Sequence, residues 1–155
     1  MYENRMIDYI APCENGSEIG IRGKRRTVHG ISPTEIVESL CLEEGASLRG
    51  ALDAGKHYLG NLYKVPVRFS GSGCYLFPTG GIKDRETVWV FFEQVKDVTK
   101  GPYANTVIGF YDGLSITVPI GKRSLTDKLA LCRKYRNLAQ SSAHLADLLE
   151  QEVRL

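Results

Sequence analysis

Positive charge in this sequence is gathered rather than spread. It collects at Arg22, Lys24, Arg25 and Arg26, between Lys56 and Arg68, at Lys83 and Arg85, and from Lys122 and Arg123 through Arg136. An acidic run at Glu35, Glu38, Glu43 and Glu44 stands against it. Clustered ammonium and guanidinium groups are suited above all to neutralising a polyanion. Each cluster taken singly also reads as a solvated surface. The net charge of +2 and the pI near 8.3 neither require nor forbid a polyanionic partner, so the distribution matters more than the total.

Covalent and metal chemistry find much less to work with. His29, His57 and His144 have no serine or cysteine motif around them of the kind that marks an activated nucleophile. Gly71-Ser72-Gly73 falls between two strand-like segments instead of opening a helix, which is the wrong setting for a dinucleotide turn. Asp84, Glu86 and Glu93 read as scattered surface acids rather than as the metal site of a nuclease. Cys13, Cys41, Cys74 and Cys132 lack paired spacing and read as buried thiols, with neither a zinc site nor a disulfide framework. The expectation is a protein with no catalytic residue, no metal and no cofactor.

The elements that must position the charges follow from periodicity. Ile7 to Ile10 and the alternation Glu18 to Arg22 predict two short strands around Glu14-Asn15-Gly16. Ser32-Pro33-Thr34-Glu35 supplies a cap, a proline for the first helical position and a capping-box acid. A helix should follow to about Glu43, with Ile36, Val37, Leu40 and Cys41 on one face and Gly45 ending it. In the next segment Leu48, Leu52, Leu59 and Leu62 keep helical spacing, but Gly50, Gly55 and Gly60 interrupt it, so an irregular stretch with some helix is expected. Val65 to Phe69 and Cys74 to Phe77 alternate as a hairpin around Ser70 to Gly73, closed by Pro78 and the pair Gly80-Gly81.

Further on, one strand block is expected from Thr87 through Trp89, Phe91 and Val95 to about Val98. Thr106 to Phe110 and Ser115 to Val118, joined at Asp112-Gly113, complete an antiparallel meander. From a cap at Ser124, Leu125, Leu129, Cys132, Arg136 and Ala139 recur at helical steps, in one long helix or in two parted near Gln140 to Ser142. Tyr75, Phe77, Trp89, Phe91 and Phe110 alternate in strands and are expected in the core rather than stacked on bases. Phe92 faces oppositely to Phe91 and, if exposed, suggests a subunit contact. Leu145, Leu148 and Leu149 are core or a dimer seam. The fold class is therefore α+β, mainly antiparallel sheet in hairpins and a meander, with a helix in the amino-terminal half and a helical carboxyl third. One domain over residues 1–155 is expected. The longest apolar run, Val88 to Phe92, is only strand length. Met1 to Met6 lacks the basic start and apolar run of a secretory signal, so a cytoplasmic protein is expected.

Taken in order, Glu38-Ser39-Leu40-Cys41, Gly45 to Gly50, Lys64 to Val67, Tyr75 to Thr79, Val88-Trp89-Val90 and Phe110 to Gly113 resemble the ComK family of competence transcription regulators. The likeness spans roughly Ile36 to Arg136. Two departures stand out: Ala51 follows Gly50 where the family tends to place an arginine, and the sequence is shorter than the family at its carboxyl end. The resemblance implies an oligomeric, sequence-specific activator of paired A·T-rich boxes in double-stranded DNA, with room for a regulatory protein partner and no membrane. Narrow A·T minor grooves favour inserted Arg or Lys over a recognition helix, and no helix-turn-helix is visible. The DNA contacts this implies are Arg49, Lys56, Lys64 and Arg68 within the matching region, and Lys83 and Arg85 beside the glycine pair. Lys64 reads equally as a lysine guarding a strand edge, and Arg68, alternating with Val67 and Phe69, should face away from the core. An antiparallel sheet followed by an amphipathic helix also describes protein or lipid modules of the pleckstrin-homology type, which is the alternative reading.

Overall fold

The computed structural model describes residues 6–60 and 64–153, with the side chains in that range except those at 143–145 and 153. Leu62 and residues 1–5, and the side chains of His144 and Leu145, lie outside it. Six strands form one antiparallel sheet: β1 (Ile7–Cys13), β2 (Gly16–Ile21), β3 (Lys24–His29), β4 (Val67–Phe69), β5 (Cys74–Pro78) and β6 (Trp89–Phe91), in the order β3-β2-β1-β6-β5-β4. A second antiparallel sheet holds β7 (Val95–Lys100), β8 (Thr106–Phe110) and β9 (Ser115–Val118) in sequential order. The helices are α1 (Pro33–Glu43), α2 (Leu48–Leu59) and α3 (Lys122–Val153). The class is α+β, as the sequence predicts. No described helix is long and apolar enough to cross a membrane.

Apart from its exposed β3 edge, the large sheet is buried on both faces, and strand alternation sorts its side chains between two cores. Ile10, Leu76, Trp89 and Phe91 pack with Val37, Leu40 and Cys41 of α1 and Leu48 and Ala51 of α2. Tyr9, Tyr75, Phe77 and Val90 face the other way, against Ile108 and Phe110 of the small sheet and Leu125, Cys132 and Tyr135 of α3. The five aromatics expected in the core are all there. Leu59 of α2 belongs to the second core and Leu52 touches both, so α2 wraps the β4 edge of the sheet.

Several local outcomes differ from expectation, each for a physical reason. Segment 48–59 is a regular helix capped by Ser47, whose hydroxyl accepts from the Gly50 amide. Gly55 is there for close approach: a Cβ would lie 3.0 Å from both the Pro66 carbonyl and Val65 Cγ2. β3 is a third strand that the sequence reading missed, made by a tight turn with positive φ at Arg22 and Gly23, the geometry of a hairpin turn of the mirror-image type. Its exposed Lys24, Arg25 and Arg26 sit on a sheet edge, where charge deters strand addition. The strand block expected from Thr87 to Val98 breaks at a 3-10 turn, Phe92–Gln94, and continues as β7 in the other sheet. Phe92 is half-buried beneath Arg133 and Arg136, whose guanidinium carbons lie 5.8 and 5.1 Å from its ring centre. α3 starts at Lys122, ahead of the expected cap at Ser124, and runs without a break at 140–142. Leu148 and Leu149 on it are exposed.

One buried carboxyl ties the sheets together. Asp8, fully buried at a bulge of β1, has no partner for either oxygen as an ionised carboxylate. Burial, and then the hydrogen bond to and the charge of Asp112 in the β8–β9 turn, push its carboxyl up to about 8. Protonated, Asp8 donates to Asp112, which also accepts from the Gly23 and Leu114 amides at 2.9 and 3.0 Å. Desolvation opposes the charge on Asp112, yet the Asp8 hydrogen bond and these amides hold its carboxyl below the usual range. A carboxyl raised in the folded state binds more protons there than in the unfolded chain. Its stabilisation is complete at acid pH and is lost as pH rises from about 4 to about 8. Asp8→Asn keeps a donor and cannot ionise. Denaturant unfolding across that window should show this variant overtaking the wild type as pH rises, and parallel pH profiles for the two proteins would refute the assignment.

Candidate nucleic-acid interface

The loop between β5 and β6 is held internally. Asp84 donates its amide to the Gly81 carbonyl at 3.0 Å, and its carboxylate accepts from the Glu86 amide at 2.9 Å. The Thr87 hydroxyl donates to the Gly81 carbonyl at 2.6 Å, while Thr79 Oγ1 accepts from the Val88 amide at 3.0 Å. Gly80 is required by crowding, since a Cβ there would stand 2.9 Å from Thr87 Oγ1. The loop is also anchored to the core. The indole of fully buried Trp89 donates to Thr34 Oγ1 at 3.2 Å, and the Thr34 hydroxyl donates to the Ile82 carbonyl at 3.2 Å. Lys83 and Arg85 are exposed on this held loop, and the one acid between them, Asp84, spends its carboxylate on the loop backbone.

Three of the six expected contact residues meet at one depression. Lys56 of α2, Lys64 just ahead of β4 and Lys83 of the loop line a cavity of about 370 Å³. Lys83 and Arg85 also line a larger cleft, of about 690 Å³, between the loop and the start of α1. Arg49 is exposed seven residues before Lys56, close to two helical turns away on the same face of α2. Among the described residues no ion pair engages Arg49, Lys56, Lys83 or Arg85.

Arg68 stands apart from these residues. It is directed away from the first core, as alternation predicts, but that face of β4 is covered: Arg68 pairs across the strands with Tyr75 and is half-buried close to Tyr75 and Tyr135. Burial pushes both phenols up, and the Arg68 charge works against that rise. Arg25, in the amino-terminal basic cluster, is tied internally, 3.5 Å from Glu18 and donating to the Ser115 carbonyl at 2.7 Å. Lys128 is a residue that the sequence reading missed. Burial first, and the like charge of Lys64 next, hold its ammonium below the usual range, so α3 places a further cation near Lys64. The basic run from Lys122 to Arg136 was the only sequence signal for it. Cys41, Cys74 and Cys132 are buried and Cys13 is half-buried, and none of the four forms a disulfide. No group of metal-ligating side chains occurs among the described residues.

The α+β scaffold thus brings lysines from a helix, a strand entry and a held glycine loop to one depression. Residues 13–143 match the ComK protein family, and the chain belongs to it. That family is one of competence-type transcription factors, and the matched span contains all six expected contact residues. No curated protein and no solved structure matches the chain significantly.

Because the loop depends on the Trp89–Thr34–Ile82 relay, Thr34→Val should free it while preserving side-chain shape. Leaving the indole N–H unsatisfied is expected to lower stability by about 1–3 kcal/mol. Hydrogen exchange at the Asp84 and Thr87 amides should accelerate beyond that of the β5 amides. Uniform acceleration across both segments would show that the relay does not hold the loop.

Proposed function

We propose that the protein is a transcription regulator that binds A·T-rich double-stranded DNA along the edge formed by α2 and the 80–85 loop. Lys56, Lys64, Lys83 and Arg85 neutralise the backbone phosphates that flank the minor groove, and Arg49 extends the contact along α2. The observation that carries the proposal is the convergence of Lys56, Lys64 and Lys83, from three separate segments, on one depression beside a backbone-stiffened loop. A narrow A·T minor groove concentrates negative potential, and a short cationic loop suits that channel better than a helix. Arg68, half-buried among tyrosines, has a secondary part here. Paired boxes are most simply met by a symmetric pair of subunits, and the protein acts in the cytoplasm, as a single domain, without a catalytic step. Family membership favours this reading over an interaction module of the pleckstrin-homology type.

A salt titration of duplex binding tests it. Affinity for an A·T-rich duplex should fall steeply with ionic strength while remaining above that for G·C duplex. The double variant Lys83→Ala, Arg85→Ala should bind more weakly, with a salt slope shallower by about two. An unchanged slope and affinity would remove the loop from the interface, and indifference of the wild type to any duplex would end the DNA reading.

A further inference from the structure

The depression that gathers Lys56, Lys64 and Lys83 is more than a charged surface. Leu52, Val65 and Pro78 give it an apolar floor, and its volume of about 370 Å³ falls within the range of about 300–1,000 Å³ occupied by small-molecule sites. Three lysines line one hollow, and the acid among its lining residues, Asp84, already accepts from the Glu86 amide. An anion carrying an apolar body satisfies both features at once: charge for the rim and surface for the floor.

We propose that this depression seats one nucleoside monophosphate unit, its phosphate held by Lys56, Lys64 and Lys83 and its sugar laid against Leu52, Val65 and Pro78. The inference rests on the DNA reading when the unit belongs to a duplex backbone. The same chemistry admits a free mononucleotide. Gly81 provides a way to close the hollow without touching its charge. It lines the depression, its φ is not left-handed, and a Cβ there meets nothing within 4 Å.

Calorimetric titration of the full chain with deoxyadenosine monophosphate, and separately with inorganic phosphate, is the test. The mononucleotide should bind saturably, and phosphate alone roughly ten-fold more weakly because it lacks the contact with the floor. Gly81→Leu should abolish mononucleotide binding and weaken duplex binding roughly ten-fold, with an unshifted thermal midpoint. Lys56→Ala should weaken mononucleotide binding roughly ten-fold, whereas Lys100→Ala, exposed on β7 and outside the hollow, should leave it unchanged. Displacement of bound mononucleotide by duplex identifies the DNA backbone as the occupant, and its retention identifies the free nucleotide. Either result upholds the site. A protein that binds mononucleotide but ignores duplex loses only the DNA reading. One that binds A·T duplex equally well as wild type and Gly81→Leu, and ignores mononucleotide, overturns the inference alone.

Discussion

A buried indole N–H must find an acceptor, and in this protein the acceptor it finds fixes the functional loop. Trp89 lies at the centre of a sheet covered on both faces, paired with Ile10 on one side and Pro78 on the other. No solvent reaches the ring, so its nitrogen is satisfied by Thr34 in the first turn of α1, and the hydroxyl passes the bond on to the Ile82 carbonyl. A fully buried strand, the start of the first helix and the glycine loop are thereby linked by two hydrogen bonds. A loop held in this way presents Lys83 and Arg85 with less entropy left to lose on binding than a free loop would.

Burial on both faces also explains where charge is left over. The β3 edge is guarded by lysine and arginine, and the β4 edge is wrapped by α2. Because α2 crosses that edge, its exposed face carries Arg49 and Lys56 alongside the strand entry at Lys64, with the loop approaching from the far end of β5. The lysine depression is thus a consequence of how the sheet edge is closed. Asp8 shows the opposite economy: a carboxyl enclosed by the same packing stays protonated and links β1 to the β8–β9 turn.

Much of this was legible from residue order. Ser32-Pro33 fixed the start of α1, Asp112-Gly113 located the β8–β9 turn, and alternation placed Tyr75, Phe77, Trp89 and Phe110 inside. What escaped depends on partners distant in sequence. Gly55 looks like a helix breaker until Val65 and Pro66 are seen against it. β3, with three consecutive basic residues, lacks the apolar alternation that marks a strand. The switch of sheets after Phe91 is accompanied by Arg133 and Arg136 stacking on Phe92 from a helix some forty residues later. At the site, alternation indicated which face Arg68 takes but not that tyrosines cover that face. Nothing local could reveal that residues 56, 64 and 83 share a hollow.

The central claim is that the edge formed by α2 and the 80–85 loop is the surface that meets DNA. Mapping backbone amide shifts of the labelled protein on titration with a short A·T-rich duplex tests it most directly. The account predicts the largest changes at residues 80–85, 64 and 56, diminishing toward β3. Changes concentrated on the basic half of α3 or on the Lys24–His29 edge, with the loop unmoved, would contradict it.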